Sequence, residues 1–188
     1  MKLRIYLLAF LALGLFSRCA VTIPAQDRIP PTFLFEITSG LPGGVLRITS
    51  EDDLSNKILH LQRNSLYRFR FSGSDAGGLA ALMMRVDWPT DFMELSIDRD
   101  EYVIASDGAN FRELVWQGRR SDPRSGYLIA GQLNTIIYNQ SYAVVDAEWE
   151  LTASDFGGAS GSANSTTKTL RVGLVDDTQE LGLLDISD

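Results

Sequence analysis

The chain has 188 residues, 45% apolar and 22% charged, which suits one globular domain with an ordinary core and excludes a disordered chain or a membrane bundle. A formal net charge of −7, about −10 once a leader carrying Lys2, Arg4 and Arg18 is removed, repels phosphate backbones and argues against a nucleic-acid partner. One cysteine and one histidine exclude a disulfide framework and any zinc site of the Cys/His type.

Residues 1–18 read as an export signal, with Lys2 and Arg4 ahead of an apolar run over 5–16 that is too short to span a bilayer. Cys19 falls just beyond it. Leu15-Phe16-Ser17-Arg18-Cys19 resembles a bacterial lipoprotein box, in which the cysteine becomes the lipid-modified first residue of the mature protein. Leu15 and Ser17 are residue types such boxes use, whereas Arg18 stands where they carry a small residue. Ordinary cleavage over 17–20 or near Ala25 is the alternative, and there Arg18 or Ile23 would fill a position that wants a small side chain. The resemblance implies lipid attachment at Cys19 and a membrane anchor. In a Gram-negative cell Ala20 would favour outer-membrane sorting, with the domain facing the periplasm or the surface.

Residues 19–31 hold three of the six prolines and no hydrophobic period, the composition of an extended tether. The domain proper is expected over 32–176. Phe33, Phe35 and Ile37 alternate with Leu34 and Glu36 in a first strand. The turn at Leu41-Pro42-Gly43-Gly44 leads to short strands over 45–48 and 57–62. Tyr67, Phe69 and Phe71 then alternate with Arg68 and Arg70, and the strand runs into Ser74-Asp75-Ala76-Gly77-Gly78. Residues 147–151 repeat this arrangement with Glu148 and Glu150 as the charged partners, and run into Ser154-Asp155-Phe156-Gly157-Gly158. In each copy the aspartate can cap a turn and the glycines supply backbone angles that other residues avoid. Each copy therefore predicts a core strand entering a tight loop.

Residues 79–88 fit helical spacing through Leu79, Leu82, Met83 and Val86, and strand spacing through Ala80, Leu82, Met84, Val86 and Trp88. The strand pattern is longer, and glycine at 77 and 78 disfavours a helix start. Pro89 ends it. Further strands are expected over 92–97, 102–105, 111–117, 127–129, 133–138, 142–151 and 167–175, with Asp107-Gly108 as a hairpin turn. Residues 177–188 form an acidic tail whose leucines can tuck against the domain.

Eight to ten short strands with regular turn signals and no helix predict an all-β, antiparallel sandwich. In layout, residues 33–175 resemble an immunoglobulin-like domain, without the Cys and Trp landmarks of antibody domains. The resemblance implies that 67–71 and 142–151 are its second and sixth strands, and that Asp75 and Asp155 meet at one loop tip.

Two aspartates at one tip have the chemistry to hold Ca²⁺ with carbonyls and a third acid, but no loop shows an ordered series of oxygen ligands, and turn-capping is the plainer reading. Asp98-Arg99-Asp100-Glu101 likewise lacks the glycine and spacing of a calcium loop. Arg119, Arg120 and Arg124 form a basic island suited to a phosphate, a lipid headgroup or an acidic glycan, or simply a solvated loop. His60 sits in a strand with no nucleophile motif, so Ser-His-Asp catalysis has no support. Trp88, Trp116 and Trp149, with Tyr127, Tyr138 and Tyr142, are the aromatics from which a sugar platform would be built, although Trp149 aligns with Phe69 and reads as core. Asn139-Gln140-Ser141 and Asn164-Ser165-Thr166 are glycosylation acceptors only in a eukaryote. No catalytic, cofactor or metal residue is singled out. The expected role is a non-catalytic, envelope-anchored binding or assembly module whose partner is another envelope protein or a glycan. The alternatives are a carbohydrate-binding module and, behind it, a small hydrolase.

Overall fold

The computed structural model describes residues 21–41, 44–87, 93–98, 100–135, 145–178 and 180–186. Cys19 with the leader, Trp88, Tyr138, Tyr142 and the Asn139 triplet lie outside the described residues. Among the described residues there is no helix but eleven strands: β1 Thr32–Thr38, β2 Val45–Thr49, β3 Lys57–Gln62, β4 Leu66–Asp87, β5 Glu94–Ile97, β6 Val103–Asp107, β7 Phe111–Gln117, β8 Arg124–Asn134, β9 Val145–Asp155, β10 Ser165–Val175 and β11 Leu183–Asp185.

The fold is a β-sandwich whose layers share one strand. The first half of β4, residues 66–74, pairs with β1 and β8; its second half, 79–87, pairs with β7 and β9. One layer therefore runs β2-β1-β4-β8-β5 and the other β6-β7-β4-β9-β10-β3-β11. The register breaks between Ser74 and Leu79, a bulge that lets one strand pass from layer to layer. This corrects the expected tight loop after Phe71. Ser74-Asp75-Ala76-Gly77-Gly78 is a kink inside a 22-residue strand, because the flanking strands supply hydrogen-bond partners on both sides of it. The second copy does end its strand, at Asp155.

Three further expectations change. The expected separate strands at 127–129 and from 133 belong to one strand, β8, paired along its length with β4, and 136–138 lie outside the described residues. The sandwich is antiparallel except where β10 runs parallel to β3. In chain order among the described residues, 67–71 lies on the fourth strand and the described part of 142–151 on the ninth, not the second and sixth.

Alternation fixes which side of each strand is buried. Tyr67, Phe69 and Phe71 are buried while Arg68 and Arg70 face water, and Ala147, Trp149 and Leu151 are buried in the same way. Each large apolar side chain so buried contributes about 1.5–3 kcal/mol. The layers meet through the Phe35 and Trp149 rings, edge to face at 6.3 Å and 85°. The acidic tail docks as well: β11 pairs with β3, Lys57 Nζ lies 2.5 Å from Asp185 Oδ1, and Leu181 is buried.

Candidate functional site

Two places on the molecule concentrate chemistry. The first is the junction of the two repeated motifs. Asp75 Oδ1 accepts the Gly77 N–H at 2.8 Å, and Asp155 Oδ1 accepts the Gly157 N–H at 2.7 Å, so both copies make the same aspartate-closed turn. Gly78, Gly157 and Gly158 take φ of 110°, 66° and 82°, angles that a side-chained residue avoids.

The fold brings Asp75 and Asp155 together with Asp27, so that one oxygen from each lies within 4.8 Å of the others. They do not stand on an exposed tip: Asp155 is 1% exposed and Asp75 8%. Asp27 was missed because nothing in the proline-rich 19–31 segment marks it. That segment is docked from Pro24 onward. Asp27 N–H donates to Gly157 O, Ala159 N–H to Pro24 O at 2.7 Å, and Asn164 Nδ2 to Asp27 O at 3.1 Å. A Cβ on Gly77 would lie 2.2 Å from Asp27 Oδ2, so only glycine admits the Asp27 carboxylate there.

The oxygens of this trio are largely engaged. Asp155 Oδ1 also accepts Asn164 N–H and its Oδ2 accepts Asn164 Nδ2–H, both at 2.7 Å, while Asp27 Oδ1 accepts Ile29 N–H at 3.0 Å. Ca²⁺ takes about 6–8 oxygens, so backbone carbonyls and water would have to supply most of the sphere around these three side chains. The arrangement fits a clasp that closes the Asn164 loop onto the N-terminal segment.

That clasp carries an electrostatic cost. Burial pushes the Asp75 carboxyl above its ordinary value of 3.8, the Asp27 and Asp155 charges push it further, and the Gly77 N–H opposes both. A carboxyl raised in the folded state contributes stability below its unfolded value, and this is lost as pH rises through the folded one. Asp75→Asn keeps an acceptor for Gly77 and removes the charge, so Tm at pH 7 should rise by about 2–4 °C. The advantage should shrink as the pH is lowered towards 4 and wild-type Asp75 takes up its proton. Thermal melts at both pH values check this, and a lower Tm for the variant at pH 7 contradicts it.

The second place is the outward face of the five-stranded layer. A shallow groove of about 530 Å³ lies across β2, β1, β4 and β8, lined by Glu36, Arg47, Arg68, Arg70, Asp98 and Leu128 among others. The register sets its rows: Arg47 opposite Glu36, Glu36 opposite Arg70, and Arg70 opposite Ala130. Thr38, Arg68 and Gln132 form the next row. Arg47 Nε bonds Glu36 Oε1 at 2.8 Å. Arg68 and Arg70 are exposed and make no ion pair among the described residues.

Several of the other candidates among the described residues have packing or bracing contacts. Arg120 donates to the carbonyls of Phe156 and Gly158 at 2.8 and 2.9 Å and lies over the Phe156 ring, so it braces the clasp loop. Arg124 lies over the Tyr102 ring. Trp116 is 3% exposed and stacks on Tyr127 at 4.2 Å. Burial and a hydrogen bond to Asp100 push the Tyr127 hydroxyl up to about 12. Asn164 serves the clasp. His60 is half-buried in β3 and bonds neither a serine nor a carboxylate among the described residues.

No family model matches the chain, and no curated protein matches it. Solved structures resemble it as β architecture. The major subunit AggA of aggregative adherence fimbriae type I from Escherichia coli aligns at TM-score 0.43 and 8% identity, over 80% of this chain and 99% of that one. The third ScaC cohesin of Acetivibrio cellulolyticus, solved with the ScaB dockerin, aligns at 0.40 and 9%, over 63% and 99%. A non-cellulosomal cohesin from Archaeoglobus fulgidus aligns at 0.36 and 12%, over 62% and 89%.

Proposed function

We propose that the protein is an exported, lipid-anchored, non-catalytic binding or assembly module that recognises a partner at the cell envelope through the groove on its five-stranded layer. The observation that carries this reading is the groove itself, a concave and solvent-facing sheet surface with two arginines unpaired among the described residues. His60 bonds no serine or carboxylate among the described residues, so nothing there supports hydrolysis of the Ser-His-Asp kind. The burial of Trp116 and Trp149 removes two of the three tryptophans from any sugar platform.

Lipid on Cys19 would place the domain close to the bilayer. The chain is held by the clasp loop from Pro24, so five residue steps, about 17 Å at full extension, separate anchor and domain.

A photo-reactive residue at Leu128 in the groove, compared with one at the exposed Ile104 of β6 on the other layer, tests the reading in the native envelope. The expected result is a single discrete adduct from Leu128, lost when Ala130→Trp fills the groove, with Cys19→Ser releasing the protein from the membrane fraction. An adduct from Ile104 alone would move recognition to the β6 edge, and a membrane-bound Cys19→Ser would remove the lipid anchor.

A further inference from the structure

The groove also carries information about what occupies it. We propose that its occupant is an extended acidic polypeptide segment with carboxylates at alternate positions, lying along β4; this rests on the reading of the groove as the recognition surface. Arg68 and Arg70 are two residues apart on the outward side of one strand, which spaces their side chains by about 6.6–6.8 Å. An extended peptide repeats the side chains of one face at the same interval, so a carboxylate-x-carboxylate segment meets both guanidiniums at once. Each guanidinium can take its carboxylate through two parallel hydrogen bonds, a geometry lysine does not offer.

The surroundings confine the acids to that row. Glu36, paired with Arg47, flanks it on the β1 side, and Asp98 lines the groove beyond Ala130. Either acid repels a carboxylate that strays from β4. Leu128, exposed and one row beyond Arg70, gives the next sheet-facing side chain of the segment an apolar seat. The chain as a whole is acidic, so its long-range field does not draw the ligand in. Selection then falls to contact spacing, which makes sequence isomers of equal charge distinguishable.

The test is fluorescence anisotropy on the purified full-length protein with three labelled octapeptides. One alternates glutamate and serine, one has the same composition with the glutamates contiguous, and one alternates lysine and serine. The alternating glutamate peptide should bind at least about tenfold more tightly than its isomer, with the lysine peptide weakest. Arg68→Gln with Arg70→Gln should lose at least about tenfold of that affinity at unchanged Tm, while Arg119→Gln leaves it unchanged. Equal binding of the two glutamate isomers, or wild-type affinity in the double variant, overturns the proposal. Preference for polygalacturonate or for anionic phosphatidylglycerol vesicles over the alternating peptide overturns it too. An adduct from Leu128 without peptide binding overturns the acidic-segment assignment alone, whereas failure of both experiments removes the groove reading with it.

Discussion

Asp155→Ala is expected to lower the stability of the domain by roughly 3–4 kcal/mol and to open the 156–164 loop to protease. Asp155 is almost wholly buried, and its carboxylate accepts the N–H groups of Gly157 and Asn164 together with Asn164 Nδ2–H, all at 2.7 Å. Alanine leaves these donors without their acceptor, and each hydrogen bond to a charged group is worth about 1.5–3 kcal/mol. The three are not additive, because they hold a single loop. Loss of one buried charge also eases the repulsion on Asp75, which is why the total stays well below their sum.

The damage should spread to the N-terminal segment. Asp27 and Pro24 are tied to Gly157 and Ala159, and Ser160 Oγ donates to Ala25 O at 3.0 Å, so the loop and the segment are freed together. Urea unfolding gives the energy, and limited thermolysis should cut the variant near Phe156 under conditions that leave the wild type whole. Asp155→Asn should fall between the two, since it can keep the backbone bonds but turns a donor towards Asn164 Nδ2. A loss under about 1 kcal/mol with unchanged protease resistance would show that the clasp does not hold this end of the sandwich.

How far the residues disclose the structure depends on the range of the interaction that decides it. Strands β3 and β7 can be read off to the residue, because alternation and turn punctuation are local. The paired motifs disclose that Asp75 and Asp155 share a turn geometry, again a matter of two residues. The continuity of β4 was hidden. Asp-x-Gly-Gly normally ends a strand, and only β1, β8, β7 and β9 beside it hold the chain extended through the kink. The parallel pairing of β10 with β3 joins segments more than a hundred residues apart and leaves no local mark. Asp27 enters the clasp purely through tertiary contact. Arg68 and Arg70 were legible as the wet side of a strand. That they would lie in a groove depends on β2, β1 and β8 lining it beside them, which no local pattern announces.

Trp149→Ala should cost roughly 4 kcal/mol, the other large effect, and it probes whether the two layers meet where Phe35 touches Trp149. Trp149 is among the largest fully buried side chains, and its Nε1–H has no hydrogen-bond partner among the described residues. Its contribution is therefore packing, set against the cost of one unsatisfied buried N–H. Trp149→Phe removes that N–H along with part of the volume, so it should cost much less, about 1–2 kcal/mol. Phe35 comes from β1 in one layer and Trp149 from β9 in the other, with ring centroids 6.3 Å apart. A double-mutant cycle with Phe35→Leu and Trp149→Leu should return a coupling of about 0.5–1.5 kcal/mol. Both substitutions keep an aliphatic side chain, which limits collapse of the site and leaves the ring–ring contact as the main quantity removed. A coupling indistinguishable from zero would separate the two layers at this point and undo the packing that sets the inward side of β1 and β9.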